Sequence, residues 1–292
     1  MKKCVMFLMT KKGFDVLKNF VTEFDISNLD CVISYQDKNV EKDYYADIKK
    51  LCTEKKIKFC DKDDSYNLKN KNIFVIGWRW MIYGEDKFFV FHDSILPKYR
   101  GFSPVVSQLI NKEKKLGVTC LYASDEYDKG EIVEQKSIAI KYPVTISEAI
   151  DITSGLYWNI FKSVYSKLLS ETKIATSKQN ESEATYSLWR DELDYKIDWT
   201  MDSSYIKRFI DAVGYPYKGA SASVDGKFIR VLNAEEYPDC KIENRDCGKI
   251  IFLKEGSPVV VCGNGLLKIT KAVYEDTKQS ILPLKKFRIR FS

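Results

Sequence analysis

The stretch "CVMFLMTKKGFDVLKNFVTEF", residues 4–24, decides the predicted fold. It begins with six consecutive apolar residues, a length that suits a buried strand. Apolar residues then recur at helical spacing, at Phe14, Leu17, Val21 and Phe24. A buried strand followed by an amphipathic helix is the unit from which α/β folds are built. The apolar core of this segment is too short for a secretory signal peptide, and two lysines follow it at once.

The same alternation continues to residue 169. Further strands are predicted at 29–35, 57–60, 72–78, 87–92 and 116–124, with one or two more in 131–140, and helices at 42–56, 103–114 and 145–169. Continuous apolar strands alternating with helices predict a mostly parallel, Rossmann-like sheet covered on both faces. Such sheets bind ligands outside the carboxyl ends of their strands.

The pattern changes after residue 170. Residues 170–187 are polar and rich in Ser, Thr and Glu, which is typical of a linker. Beyond them come a short helix (205–213), an Asp225-Gly226 hairpin signal and several short strands parted by glycine-rich turns. We therefore predict an α/β domain (1–170), a linker (171–199) and a small C-terminal β-barrel-like domain (200–292).

Composition narrows the class of protein. The net charge of +6 suits a phosphate-bearing ligand but is too small to argue for nucleic acid. The eight cysteines form no C-x-x-C pair and lie mostly in apolar runs, which favours reduced core cysteines in a cytoplasmic protein. With one histidine, a Cys/His zinc site is disfavoured, so no metal is expected. No apolar run approaches the roughly 20 residues of a membrane helix.

The single histidine, His92, ends an apolar strand within "FFVFHDSILPKYRGFSPVV", residues 88–106. An acidic loop containing Asp125, Glu126 and Asp128 follows the strand at 116–124. In a parallel sheet both loops can emerge at the same edge, where a carboxylate could orient the imidazole and favour its cationic form. Such a pair suits general acid–base chemistry on an amine or an acyl group. A buried, hydrogen-bonded histidine without a chemical task explains the same residues equally well.

A family resemblance separates these two interpretations. "HDSILPKYRGFSP" (92–104) resembles the signature loop of the folate-dependent formyltransferases, and "LINKEKKLGVTCLYASDEYDKGEI" (109–132) resembles their second block. "IGWRWMI" (76–82) resembles the segment whose backbone lines the folate pocket. "EATYSLWRDELDYKIDWT" (183–200), "GYPYKGA" (214–220) and "VVVCGNGLLKIT" (259–270) resemble the C-terminal β domain of methionyl-tRNA and sugar formyltransferases, so the resemblance spans almost the whole chain.

The resemblance implies a mechanism in which a primary amine attacks the formyl group of 10-formyltetrahydrofolate. His92 would stabilise the tetrahedral intermediate and move a proton, and Asp128 would hold His92 and help to take the proton of the amine. A third family residue is an Asn two positions before the His, which donates a hydrogen bond to the formyl oxygen. Val90 stands there, and loss of such a donor costs about 3–4 kcal/mol of transition-state stabilisation.

Three explanations for Val90 stay open on the sequence. Another donor could replace the Asn, with Arg79, a protonated Asp93 or a backbone N–H as candidates. The enzyme could be slower or use another acyl donor. The chain could also have kept the fold and lost the activity.

The resemblance also assigns a binding surface. The residues expected to contact folate are Trp78, Trp80, Met81, Ile82, Asp125 and Tyr127. Those expected to contact the second substrate are Ser94, Tyr99, Arg100 and Phe102. The aromatic rings among them could stack on a pterin or a nucleotide base. Independently of the resemblance, the loop at 10–14 could place Lys11, Lys12 and a helix N-terminus near a phosphate, although a solvated loop is the favoured interpretation of these two lysines.

The leading functional hypothesis is a sugar N-formyltransferase that acts on a nucleotide-linked amino sugar for a surface glycan such as lipopolysaccharide. A methionyl-tRNA formyltransferase and a non-catalytic binding module are the alternatives. A homodimer through the C-terminal strands is left open, and no membrane partner is expected.

Overall fold

A computed structural model describes residues 2–38, 40–82 and 88–292. The chain forms two compact units. The first comprises Met1–Val105, Lys114–Ile140 and Glu148–Leu188, and the second comprises Val106–Glu113, Lys141–Ser147 and Trp189–Ser292. Residues 171–188, which the sequence pattern places in a linker, belong to the first unit. The division into functional domains stays a prediction.

The elements up to residue 188 follow the predicted alternation closely. In chain order they are β1 (Cys4–Leu8), α1 (Thr10–Glu23), β2 (Leu29–Ser34), α2 (Tyr45–Glu54), β3 (Phe59–Asp61), β4 (Asn72–Ile76), β5 (Phe88–His92), β6 (Arg100–Gly101), α3 (Pro104–Ile110), β7 (Lys115–Tyr122), β8 (Ile132–Ala139), α4 (Ile146–Leu169) and β9 (Tyr186–Ser187). The region 131–140 forms one strand, and α3 ends four residues earlier than predicted. Lys87, predicted to begin β5, lies outside the described residues.

A seven-stranded sheet in the order β3-β2-β1-β4-β5-β7-β8 organises the first unit. The first five strands are parallel, which confirms the mostly parallel α/β fold. Alternate residues of β1 pack on opposite faces, as the pleat requires. Met6 and Leu8 join an apolar cluster with residues of α1 and α4, whereas Val5 and Phe7 join a second cluster on the other face.

One expectation about this sheet is wrong. The strand β7 runs antiparallel to β5, with His92 opposite Thr119 and Phe89 opposite Tyr122. The acidic loop after Tyr122 therefore starts at the end of the sheet opposite His92, because antiparallel neighbours end at opposite edges. A shared edge of parallel strands cannot explain how Asp128 would reach His92.

The second unit contains a five-stranded antiparallel sheet. Its elements are α5 (Ser203–Val213), β10 (Ala220–Val224), β11 (Lys227–Tyr237), β12 (Ile250–Lys254), β13 (Ser257–Val261) and β14 (Leu266–Tyr274), with the strand order β10-β11-β14-β13-β12. The hairpin signal is confirmed, since Asp225 and Gly226 both have positive φ angles between β10 and β11. Phe291 bridges to Val224 and Arg290 bridges to Lys249, so the last residues connect the two edges of this sheet. Within the described residues, no helix is both long and apolar enough to cross a bilayer.

Candidate active site

His92 lies at the carboxyl end of β5 and is 7% exposed. Its Nδ1 is 3.3 Å from Asp128 Oδ1, and its Nε2 is 2.7 Å from the backbone oxygen of Tyr99. A carboxylate and a carbonyl both accept hydrogen bonds, so the doubly protonated imidazole satisfies both contacts, whereas a neutral ring can donate to only one. The site therefore holds each ring nitrogen of His92 against an acceptor oxygen.

The strand β7 holds the loop that follows His92. Thr119 Oγ1 donates to the backbone oxygen of Ser94 (2.6 Å) and accepts from the N–H of Leu96 (3.2 Å). Gln135 on β8 donates to Thr119 Oγ1 and to the oxygen of Leu96. Ser94 is fully buried, and its hydroxyl donates to the oxygen of Lys98 (2.6 Å). This hydroxyl therefore fixes the loop, and the contact of Ser94 with substrate stays a prediction that would require the bond to Lys98 to break.

Asp128 reaches His92 because its loop folds back from the far edge of the sheet. Asp128 adopts a left-handed backbone (φ +58°), and its Oδ2 accepts from the N–H of Gly101 at 2.8 Å. At Gly130 the backbone passes so close to β7 that an added Cβ would lie 1.7 Å from the oxygen of Tyr122. One carboxylate thus contacts both the end of β5 and the loop that follows it.

Arg100 fastens the loop after His92 to residues 179–187. Its side chain is fully buried, and its two Nη atoms donate to the two oxygens of Glu181 at 2.8 and 2.7 Å. The carboxylate of Glu181 raises the pKa of the Arg100 guanidinium. Backbone bonds run alongside, from Arg100 N to Thr185 O and from Phe102 N to Ser187 O. The guanidinium therefore already has partners inside the protein, and the substrate contact of Arg100 stays a prediction that would have to compete with them.

The two lysines predicted to bind a phosphate both have carboxylate partners. Lys12, with a side chain only 11% exposed, lies 2.5 Å from Asp93. Lys11 contacts Asp15 at 2.7 Å and Asp151 at 3.0 Å. Tyr157 packs beneath Lys12, and burial together with the nearby carboxylate of Asp93 raises the pKa of Tyr157 well above its usual value. Any phosphate would have to compete with these carboxylates.

Val90 projects from the same face of β5 as His92, since the two residues are two positions apart. It packs in an apolar cluster with Trp78 and Ile82. The rings of Trp78 and Trp80 meet edge to face at 5.2 Å, and the buried Nε1 of Trp78 has no hydrogen-bond partner among the described residues. The structure therefore brings the valine and the predicted folate segment together.

The other predicted contact residues lie on the loop after His92, on the acidic loop and, for Met81, on the segment after β4. Phe102 and Tyr127 are exposed, with ring centroids 6.1 Å apart. Asp125 is exposed in the acidic loop, Met81 is half-buried, and Tyr99 contributes its backbone oxygen to His92.

Two of the proposed substitutes for the missing asparagine are unsuited to the task. Arg79 forms an ion pair with the buried carboxylate of Asp37. Asp93 lies 2.5 Å from the ammonium of Lys12, so its carboxyl group is already engaged as a hydrogen-bond acceptor. Of the donors considered, a backbone N–H remains.

Two family models match the chain. One, described as "Formyl transferase", matches residues 81–153, and the other, "Formyl transferase, C-terminal domain", matches residues 191–284. The chain belongs to the formyltransferase family. The matches cover parts of both units, and the first contains His92 and Asp128.

Within this formyltransferase family, the relatives found by sequence and the relatives found by structure carry names that refer to different substrates. A methionyl-tRNA formyltransferase of Fusobacterium nucleatum is 28% identical over 189 residues, 64% of this chain and 60% of that protein. The chain therefore spans about 60% of the length of the curated relatives it matches. WlaRD, a sugar 3N-formyltransferase solved with dTDP and 5-N-formyl-THF, shares the fold with a TM-score of 0.70 at 20% identity, over 93% of this chain and 99% of that chain.

A second solved structure is similar over the same extent. The N-formyltransferase from Helicobacter canadensis, in complex with folinic acid and dTDP-3-aminofucose, has a TM-score of 0.68 at 20% identity. It covers 92% of this chain and 98% of its own. At these identities the likeness establishes the shared formyltransferase fold.

Sequence reasoning missed several residues of this formyltransferase site. Thr119 lies in a mostly apolar strand and Gln135 in a half-polar one, both without a distinguishing motif, and Tyr157 is one of several aromatics in a long helix. Gln179 lies in the segment predicted as a linker, yet it contacts both loops. Only the tertiary arrangement identifies these four residues.

Proposed function

We propose that this protein transfers a formyl group from 10-formyltetrahydrofolate to a primary amine. The observation that carries this proposal is the contact between His92 and Asp128, buried where the loop after β5 meets the acidic loop. It joins the two most specific blocks of the sequence in one site.

The neighbourhood of Val90 suits the fused ring system of a folate. The unpartnered Nε1 of Trp78 offers a hydrogen-bond donor inside an otherwise apolar cluster, and the rings of Trp78 and Trp80 offer flat surfaces. Met81, Ile82, Asp125 and Tyr127 complete the set that would hold the folate. When bound, the folate supplies an activated formyl group on nitrogen.

The residues of the chain then have distinct tasks. His92, held between Asp128 and the oxygen of Tyr99, places a proton and a positive charge next to the bound formyl group. Asp128 keeps the imidazole oriented and can accept a proton from the attacking amine. The N–H of Gly101 fixes the second oxygen of Asp128, so that the carboxylate cannot rotate away from the ring.

We propose a nucleotide-linked amino sugar as the second substrate. Support comes from the two sugar N-formyltransferase structures, which match over nearly their whole length. The nearly balanced charge agrees with this choice, since residues 189–292 carry 18 lysines and arginines against 15 aspartates and glutamates. We place the reaction in the cytoplasm and in the synthesis of a surface glycan.

A panel of amines tests the proposal. The purified protein is incubated with 10-formyltetrahydrofolate and dTDP-linked 3- and 4-amino sugars, and the product is detected as released tetrahydrofolate and as a formylated sugar in mass spectrometry. His92→Asn should abolish the reaction, since asparagine cannot take up a proton. Full activity in that variant would refute the assigned mechanism, and folate binding without turnover on any amine would indicate a non-catalytic protein.

Methionyl-tRNA is the second candidate substrate, favoured by the curated relatives of similar sequence. It predicts salt-sensitive binding of initiator tRNA, because phosphate contacts release counterions. Formylation of methionyl-tRNA together with inactivity on every nucleotide sugar would replace the sugar proposal. Absence of tRNA binding at low salt would exclude this second candidate.

A further inference from the structure

The side chain of Gln179 spans the gap between the two loops of the site. Its Oε1 accepts from Arg100 Nε at 3.1 Å and from Nη2 at 2.7 Å. Its Nε2 donates to the backbone oxygen of Asp128 at 2.7 Å and to that of Gly130 at 2.8 Å. The amide therefore uses its acceptor on the loop after His92 and both its donors on the loop that carries Asp128.

The backbone at Asp128 needs such a restraint. Its left-handed φ of +58° is a conformation that costs an L-residue free energy and persists only where the surroundings enforce it. The loop also begins at the far end of β7, so no neighbouring strand fixes it beside His92. Besides His92 itself, the groups that contact Asp128 include the N–H of Gly101 at its carboxylate and the amide of Gln179 at its backbone carbonyl.

We propose that Gln179 is a positioning residue that sets the distance between Asp128 and His92. The proposal rests on the proposed function for its kinetic consequences, but its geometric claim is independent of that function. Arg100 and Glu181 form the fixed side of the bridge, and the donors of Gln179 transmit that position to the Asp128 backbone.

Gln179→Glu keeps the hydrogen bonds to Arg100 and removes those to the loop of Asp128. The carboxylate still accepts from Arg100, but it has no N–H to donate and sets an oxygen against the carbonyls of Asp128 and Gly130. Gln179→Met removes the hydrogen bonds to Arg100 and to the loop of Asp128 without adding charge. Asn180→Asp is the matched control, because Asn180 is an exposed neighbouring amide whose described side-chain bonds run to Ser182 and Glu183.

The single histidine makes the geometric test direct. In tag-free protein every imidazole ¹⁵N signal comes from His92. Gln179→Glu and Gln179→Met should shift the Nδ1 signal in the direction seen with Asp128→Asn, whereas Asn180→Asp should give the wild-type spectrum. An unchanged His92 signal in both Gln179 variants, with the fold intact by circular dichroism, would overturn the proposal whether or not the protein is a formyltransferase.

Kinetics test whether Gln179 acts through Asp128. Gln179→Glu should lower kcat about tenfold to a hundredfold with KM for folate within about threefold, because a displacement of about 1 Å has that effect on a reacting group. In an Asp128→Asn background the same substitution should change kcat by less than about threefold, since the carboxylate it positions is already absent. An equal loss in both backgrounds would assign Gln179 a general structural role and refute the proposal.

Discussion

Val90→Asn should make this protein a faster formyltransferase. Val90 and His92 lie on one face of β5, about 6.6 Å apart along the strand, so an oxygen between them is within reach of both side chains. The valine packs against Trp78 and Ile82, in the cluster proposed to hold the folate. An asparagine amide at this position would point its N–H groups at the formyl oxygen, where negative charge develops.

Val90→Asn should change two quantities, the rate of the chemical step and the stability of the fold. A preorganised donor to an oxyanion is worth about 10²–10³ in kcat, and a donor placed in a pocket shaped for valine should recover the lower part of that range. We expect a gain of about tenfold, equivalent to about 1.4 kcal/mol. Before substrate binds, the amide lies in an apolar cluster, and its burial should cost about 1–3 kcal/mol of stability. The melting temperature should therefore fall by several degrees while kcat rises.

Single-turnover mixing of enzyme with 10-formyltetrahydrofolate and an accepted amino sugar measures this effect on the chemical step. Val90→Leu is the control, because leucine has the branching of asparagine but no hydrogen-bond donor. The reasoning is refuted if the rate of Val90→Asn stays within twofold of wild type, or if Val90→Leu gives the same gain. The first result would mean that a backbone N–H already serves the oxygen, and the second that shape alone limits the rate.

Three further outcomes are expected. Asp128→Asn should lower kcat at least a hundredfold, since an amide cannot accept the proton that a carboxylate takes, and a loss below threefold would contradict the role of Asp128. Gly101→Ala should lower the free energy of unfolding by about 1–3 kcal/mol, because Gly101 has φ +95° and its added Cβ would lie 2.6 Å from the oxygen of Ser187. Gly155→Ala is the control, since Gly155 lies in α4 with open space at its Cβ, and it should raise the free energy of unfolding by about 1 kcal/mol. Burial raises the pKa of Cys31, Cys52 and Cys262 to about 12. At pH 8 the native protein should therefore show at most two fast-reacting thiols with Ellman's reagent, those of the half-buried Cys240 and Cys247. Four fast-reacting thiols would contradict the packing.

The order of elements follows from local patterns in the sequence. The apolar run at 4–9 and the helical spacing after it are local properties, and β1 and α1 form where they indicate. Strand direction is a different matter. The apolar run of β7 is equally compatible with a parallel and an antiparallel neighbour, and its pairing with β5 is decided by the crossing of the chain between them.

The site shows the same division between local and tertiary information. His92 and Asp128 stand out as members of two dense blocks, and both lie in the site. Ser94 and Arg100 stand out equally in the same loop, yet they are fully buried and hold the loop in place. A motif identifies which residues belong to a loop, but the direction of the Arg100 side chain depends on Glu181, which lies 81 residues away.

The antiparallel placement of β7 gives residues 179–187 their importance. If β7 were parallel to β5, the acidic loop would leave the sheet beside His92, and strand pairing alone would set the distance between the two groups. Because β7 is antiparallel, the loop must return across the sheet, and its position depends on contacts outside the sheet. The pairing of β6 with β9 and the bridge through Gln179 supply those contacts. A segment that reads as a polar linker therefore supplies Gln179 to the candidate site, and changes at Gln179 should affect the chemical step before they affect the fold.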